Sequence, residues 1–598
     1  MLTPGLSVRG RAVRIAAACL ALLLCTGAAD PAKLLRYVFP AGEEGFDPQA
    51  AHDLYSGTVE QAIFETLLTY DYLARPAKLV PMAAEAMPVV SDDGKTYTFK
   101  VRKGVYFTPD PAFKGARREL VAEDFAFSLK RLVDPSIHSP WAWLVEGKIT
   151  GLDAEAARAK KSGKFDYNAK IAGLEVVDRY TLRIHLTQPD FNMSYVLAHE
   201  PTSAVAKEVV AAYGDEGGRI MSNPVGTGAY MLAQWVRSSK IVLVANPDYR
   251  GFVWDFAPGA DPDDARIVAE MKGKKMPQIG RIEISIMEED QSRLLAFQNG
   301  ELDLMNMEGP LAPKVLDGGT LSPDLAKKGV RLSRFVDPEI TYTYWNMMDP
   351  VTGGLTPEKI ALRRAMAMAY PVAEEIKVIR SGQAIEAQFP VPPGVVGNDP
   401  AWRSSVRYDP AAANALLDRF GYKKGADGWR TLPDGKALVM HYGSRPDSLG
   451  RQQDELWKKA LDSIAIRMEV RKDKFAELLK LEKQCKLQMR TAAWIADYPD
   501  ADNFMQLLYS KNIHQSNNAC ATIPEYDRLY EQSVRMPAGP ERDRLYREMA
   551  RIIEVYAPWR LGISRYRNML VQPRILGYKK HPILHAEFQF IDVAPSAK

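Results

Sequence analysis

Cysteine is scarce in this chain of 598 residues: there are four, and two of them, Cys19 and Cys25, fall within the first 29 positions. Cys485 and Cys520 remain. In an oxidising compartment they could pair, but spacing alone does not bring two Cα atoms within disulfide reach, so the bond stays open at this point. Histidine is also sparse, with His52, His138, His185, His199, His441, His514, His581 and His585 scattered along the chain. Only His581 and His585 stand close, and Pro582 between them argues against one helical face. The three or four convergent ligands that zinc needs are therefore not in view. Nucleophile and phosphate motifs are missing as well, with no Gly-x-Ser-x-Gly elbow and no loop ending in Gly-Lys-Ser/Thr. Gly226-Thr227-Gly228 lacks the further glycine of a dinucleotide fingerprint and reads as a turn. Met347-Met348 and Met366/Met368 read as core filler. These absences speak against an enzyme, and no cofactor or metal is expected.

Long apolar runs are equally few. One stands near the start, Ile15 to Cys25, behind Arg9, Arg11 and Arg14 and ahead of Thr26-Gly27-Ala28-Ala29; no acidic residue precedes Asp30. A basic flank, a short apolar core and a small-residue exit form the pattern of a secretory signal peptide, expected here over residues 1–29. The run is shorter than the roughly 20 apolar residues that span a bilayer. Leu24 stands where a lipoprotein signal wants a small residue, so cleavage after Ala28 or Ala29 is favoured over lipid anchoring at Cys25. Charge excess is missing too. The chain carries 78 basic and 74 acidic residues; without the three leader arginines it holds 75 against 74, a formal charge of +1. Such a balance gives no electrostatic footprint for nucleic acid.

What is present is mixed α and β pattern without low-complexity tracts or repeats, over enough length for more than one core. Tyr97, Phe99 and Val101 alternate with Thr98, Lys100 and Arg102, the period of a half-buried strand, and Asp93-Gly94 before them reads as a tight hairpin turn. Phe125, Leu129 and Leu132 recur at helical spacing. Asp290 is placed to cap a helix that stops at Asn299-Gly300, with Leu302 and Leu304 resuming strand alternation. Thr356-Pro357 and Asp409-Pro410 each put a capping side chain before a first-turn proline, the second helix ending near Gly421. From Leu449 to Ile495 the pattern runs helix, strand (466–470), helix, strand (487–495), which favours a sheet covered by helices. Residues 250–280 and 390–410, rich in Pro, Gly and Asp, read as surface excursions.

Nine segments together resemble the family 5 extracellular solute-binding proteins, the oligopeptide, dipeptide and nickel-binding components of ABC importers. In order they are YTFKVRKGVYF (97–107), LVAEDFAFSLKRLVDP (120–135), NPVGTGAYML (223–232), IVLVANPDYRG (241–251), RLLAFQNGELDL (293–304), LRRAMAMAY (362–370), YDPAAANALLDRFGY (408–422), WIADYPDADNF (494–504) and PEYDRLYEQS (524–533). The resemblance implies an α/β, two-lobed periplasmic binding protein (type II, cluster C). Lobe I would take residues 30–338, with an extra subdomain at about 75–190, and be completed by 566–598; lobe II would take 339–565. The crossings between them would fall near Arg334–Tyr342 and Trp559–Tyr566.

The same resemblance implies a periplasmic protein, monomeric, that captures a peptide and hands it to a membrane permease and its ATPase. Charged peptide ends call for opposite charges, and the backbone for strand-like hydrogen bonds. Asp497, in the W-x-A-D-Y segment, matches the aspartate that holds the ligand amino group in peptide-binding relatives, and Trp494 matches an aromatic wall. Phe46-Asp47-Pro48 and 51–57 resemble the first-lobe loop that meets the ligand, with Tyr55 as its candidate contact. Asn346, just past the expected crossing, is a further candidate, and Arg490 lies near a ligand-contacting arginine of some relatives, one residue out of register. Departures from the family pattern at 107–119, 252–279 and Tyr370-Pro371 leave open a metal chelate, haem, sugar or lipid, or a sensor role at a membrane receptor.

Overall fold

The protein is described by a computed structural model over residues 29–594, apart from positions 76, 308 and 318. Residues 1–28, and with them almost all of the expected signal peptide, lie outside the described residues.

The chain enters as strand β1 (Asp30–Phe39) and turns into helix α1 (Leu54–Ile63). The Asp53 carboxylate fixes that start by accepting the N–H groups of Tyr55 and Ser56 at 2.9 and 3.0 Å, two of the donors a helix leaves unpaired at its N-terminus. β2 (Val89–Val90), β3 (Thr96–Lys100), β4 (Leu174–Asp178) and β5 (Thr181–His185) then make a four-stranded sheet in the order β2-β3-β5-β4. Tyr97 and Phe99 of β3 are buried and their neighbours are not, as the alternation predicts. β6 (Tyr230–Val236), β7 (Lys240–Ala245) and β8 (Ile279–Ile286) return to β1 in the order β1-β8-β7-β6, with β1 and β8 parallel. The turn read at Gly226-Thr227-Gly228 lies against the end of α1, where the Gly228 N–H donates to the Ile63 carbonyl at 2.7 Å. A Cβ on Gly226 would sit 2.1 Å from that carbonyl oxygen, so only glycine permits the approach.

The largest sheet has eight strands. They are β9 (Leu304–Asn306), β10 (Arg331–Val336), β11 (Glu339–Trp345), β12 (Ala384–Glu386), β13 (Val439–Ser444), β14 (Arg467–Lys472), β15 (Met489–Ile495) and the long β16 (Trp559–Val571). The spine runs β9-β16-β11-β15-β13-β14, with β10 and β12 also on β16. β16 joins two regions: its 566–571 half pairs with β10, and residues 559–563 pair with β11. Residues 336–339 and 563–566 thus run side by side. Helices α2 (Ser448–Ser463) and α3 (Phe475–Lys483) fill the expected helix–strand alternation.

Several local expectations change in detail. The helix expected after Asp290 runs Asp290–Gln298, but Asp290 lies inside its first turn, bonded to Arg293, and Glu289 holds the cap position. The Thr356 hydroxyl makes no capping bond to the helix Pro357–Ala369, whereas Asp409 caps Pro410–Arg419 through the Ala412 N–H at 2.8 Å. The stretch 250–280 is more than a surface excursion: it contains a helix, Pro262–Met271, and the fully buried Trp254, whose indole N–H donates to the Phe590 carbonyl at 3.0 Å. Val391 and Val395 likewise bury part of 390–410. Cys485 and Cys520 are joined in a disulfide, with Cα atoms 6.1 Å apart.

Candidate functional site

A cavity of about 270 Å³ lies between two walls. One comes from Ala51–Tyr55, Gly57, Glu60, Trp141, Glu200 and His585; the other from Arg445–Leu449, α3 and β15 through Asp497. Three of the four residues singled out in the sequence meet there: Tyr55, Trp494 and Asp497. Asn346 does not. It lines a separate cavity beside Cys485 and His514, and its amide is used up in ordering the loop after β11. The amide N–H donates to the Cys485 carbonyl at 2.7 Å and the amide oxygen accepts from the Met348 N–H at 2.9 Å.

β15 sets the floor. The Asn346 N–H to Gln488 C=O and Ala496 N–H to Pro338 C=O bonds, 2.9 and 2.8 Å, mark the even-numbered positions as those facing β11. By the alternation of an antiparallel ladder, Thr491, Ala493 and Ile495 turn their N–H and C=O groups to the opposite edge. On that edge β13 pairs only with Met489 and Arg490, and no described strand covers residues 491–495. An extended chain can add there as a strand. Ala492 and Ala493 keep the approach unobstructed.

Asp497 stands just past the end of that edge, 7% exposed. Its Oδ2 accepts from the Asn503 amide at 2.7 Å, and its own N–H donates to Asn503 Oδ1 at 3.0 Å. Asn503 Oδ1 also accepts the Trp494 indole N–H at 3.0 Å, so one amide orients both candidate residues. Burial pushes the Asp497 carboxyl up from its usual range, against the opposing pull of His199 and Asn503. His199 Nε2 lies 3.6 Å from Asp497 Oδ1, and His199 Nδ1 lies 2.7 Å from Glu200 Oε2. Glu200 Oε1 is 3.1 Å from His585 Nδ1. Burial would raise the Glu200 carboxyl, but the two histidines hold it well below the carboxylate range. Glu60 goes the other way: burial and the charges of Glu200, Asp47 and Asp53 drive it well above the carboxylate range. The sequence reading missed His199, Glu200, Glu60 and His585. Their only signal was the adjacent His199-Glu200 pair, because the cluster forms from segments as much as 525 residues apart.

Arginines line the cavity as well. Arg490, buried and paired with Glu482 at 2.5 Å, lines it with Arg293, Arg380, Arg445 and Arg565. Each has a carboxylate partner, for example Arg445–Asp447 at 2.9 Å and Arg565–Glu339 at 2.8 Å. Aromatic contacts close the sides: His52 packs between Trp141 and Trp494, and Tyr55 leans on Phe39 and meets Phe475 edge-on. Beyond the cavity lining, segments that carry the two walls also touch. Gln515 Oε1 accepts the Trp143 N–H at 2.8 Å, Gln515 Nε2 donates to Glu146 at 3.0 Å, and Asn192 Nδ2 donates to Asp500 at 3.2 Å. Among the described residues no group of three or more His, Cys, Asp or Glu side chains is disposed to hold a metal ion.

A cleft between two walls, with a strand edge at its floor, is the arrangement of a binding protein, and comparison with known sequences agrees. Residues 78–516, well over half of the chain, match the family described as bacterial extracellular solute-binding proteins, family 5 middle. The chain belongs to this family. This family 5 protein is 25% identical over 602 residues to the di/tripeptide-binding protein 2 of Pseudomonas aeruginosa (strain UCBPP-PA14), covering 95% of this chain and 97% of the relative. It is 26% identical over 505 residues to the dipeptide-binding protein of Escherichia coli (strain K12), covering 82% and 81%. Among solved structures, it superposes on the ABC transporter-associated periplasmic binding protein DppA from Helicobacter pylori, in complex with the peptide STSA. The TM-score is 0.75 at 21% identity, over 94% of this chain and 98% of that one. The family 5 fold is two-lobed and mixed α/β, as the sequence resemblance implies. No helix among the described residues is long and apolar enough to cross a membrane.

Proposed function

We propose that this family 5 protein captures short peptides in the cleft and presents them to a membrane permease driven by an ATPase. The observation that carries the reading is the uncovered edge of β15 at 491–495, ending at the buried carboxylate of Asp497. A peptide laid along that edge satisfies its backbone groups without regard to side chains, and its amino-terminal ammonium reaches Asp497. A charge-assisted bond of this kind is about twice as strong as a neutral one. Trp494 and Tyr55 supply aromatic walls, and the arginines of the lining suit the peptide carboxylate. Peptide-binding names among the relatives support the same ligand class.

The lobes in this reading are 30–338 with 566–598, and 339–565, hinged where the chain crosses at about 336–339 and 563–566. The subdomain of about 75–190 rides on lobe I and supplies Trp141 to the cavity lining and Trp143 to the contact with Gln515. The protein acts as a monomer in the periplasm after loss of residues 1–29, without turnover and without nucleic acid as a partner. The test is native mass spectrometry of the leader-free protein purified without refolding, followed by calorimetric titration with di- and tripeptides. Co-purified short peptides, and affinity that falls in Asp497→Ala, support the reading. A bound haem, sugar or lipid, with no peptide affinity, sinks it.

A further inference from the structure

His199 is built into the cluster in an unusual way. Its ring is 2% exposed and its Nδ1 is committed to Glu200 at 2.7 Å. Glu200 is ionised, so Nδ1 carries a hydrogen and donates it. The other nitrogen, Nε2, makes no hydrogen bond, yet lies 3.6 Å from Asp497 Oδ1. A neutral ring would turn a lone pair toward that carboxylate; a protonated ring turns an N–H toward it. The second state is the favourable one. Burial alone would lower the His199 value, but the charges of Glu200 and Asp497 outweigh it and raise it above the ordinary 6.5.

The remaining groups around the ring do not replace it as a cation. Trp141 packs edge-on at 4.8 Å. Burial, with the nearby Lys483 and His199, drives His52 well below the histidine range and keeps it neutral. Burial and the neighbouring carboxylates push Glu60 well above its ordinary range, toward its uncharged form. His585 meets the far oxygen of Glu200, and Gln61 donates to the near one at 3.2 Å. Asp497 Oδ2 is already held by Asn503. The oxygen left for a ligand is thus Oδ1, the one that His199 faces across a gap too long for a good hydrogen bond.

We propose that His199 is the internal counter-ion of Asp497 in the empty cleft and is exchanged for the ligand: a primary ammonium takes Oδ1, and the Nε2 proton of His199 leaves to solvent. A second cation within about 4–6 Å disfavours the charged imidazole, which is the physical cause of the release. The ligand class this selects is one with a free, protonated amino terminus. The proposal rests on the peptide reading above. Its linkage has a fixed sign: His199 holds its proton more tightly in the empty protein than in the complex. Affinity therefore rises with pH between the two values, up to tenfold per unit, and levels off above the higher one.

The test is calorimetric titration of trialanine into the leader-free protein between about pH 5.5 and 7, where the peptide amino group, with a pKa near 8, stays about nine-tenths charged or more. Buffers of different protonation enthalpy report the protons released. Release approaching one per peptide, with affinity climbing up to tenfold per pH unit, is expected for the wild type. In His199→Gln, whose amide can still donate to Oδ1, the release and the pH slope should vanish, whatever affinity remains. No release from wild type, or an equal release from His199→Gln, overturns the exchange while leaving the peptide reading intact. The wild-type buffer series decides even if the variant does not fold. Failure of trialanine and longer peptides to bind at any pH overturns the peptide reading, and the exchange with it.

Discussion

Asn503 grips Asp497 at both ends of the residue: its amide nitrogen donates to the carboxylate at 2.7 Å and its amide oxygen accepts the Asp497 backbone N–H at 3.0 Å. Asp497 lies two residues beyond the strand end at Ile495, and this clamp is what keeps its buried carboxylate aimed into the cleft. Asn503→Ala removes one acceptor and one donor and leaves Asp497 Oδ2 buried without its partner. An unsatisfied buried group costs about 1–3 kcal/mol, so peptide affinity should fall by about 5- to 150-fold. Asp497→Ala should cost more, about 2–5 kcal/mol, because a desolvated ammonium is left without a partner. Titration calorimetry of both variants checks the order; an Asn503→Ala protein binding as tightly as wild type would show that the clamp plays no part.

How much of this was legible in the sequence follows the range of the interactions. The β3 alternation and the Asp409 cap are decided within a few residues, so both were readable. Asp290 was misplaced by one position because its pairing with Arg293 competes with capping. Trp254 was hidden in a stretch rich in Pro, Gly and Asp, since what buries it includes Phe590, over 330 residues away. Asp497 and Trp494 were accessible through a family pattern, whereas His199, Glu200 and His585 become a site only when distant segments converge. Asn346 shows the converse: a plausible position along the chain, but a side chain already spent on its own loop.

Asp47 illustrates a motif that resembles a ligand loop but works as its support. Its carboxylate takes both terminal nitrogens of Arg131 at 3.0 and 2.7 Å and the Ile220 N–H at 2.8 Å, with Asp47 and Arg131 both fully buried. Breaking a buried pair from one side strands the other charge, at a cost of about 3–5 kcal/mol. Asp47→Ala should therefore lower the denaturant midpoint markedly, and carry the 51–57 wall of the cleft with it. A midpoint within error of wild type would mean that Arg131 finds other acceptors.

The Cys485–Cys520 bridge spans 35 positions and fastens the end of α3 to the loop that brings Asn518 into the cavity. Restricting a loop of this size in the unfolded chain is worth about 4 kcal/mol in the chain-entropy account. Dithiothreitol should lower the thermal midpoint of the wild type and leave a C485S/C520S double variant, already lowered, unmoved. Peptide affinity should weaken in parallel, because Glu482 and Asn518 lose their common tether. Equal reductant sensitivity in both proteins would assign the effect elsewhere.

Gln515 joins segments that carry the two walls, taking the Trp143 N–H and giving its own N–H to Glu146. Both bonds exist only when the walls are together, so they stabilise the closed arrangement and contribute nothing to the open one. At about 1 kcal/mol each, their loss in Gln515→Ala moves the balance toward opening by up to about 30-fold. A ligand that binds the closed form loses affinity by the fall in the closed population, at most by that factor, mostly through faster dissociation. Small-angle scattering should show a larger radius for the unliganded variant and the same radius as wild type once peptide is saturating. If the variant releases peptide at the wild-type rate, closure is held by the ligand and the strand edge beneath it rather than by Gln515.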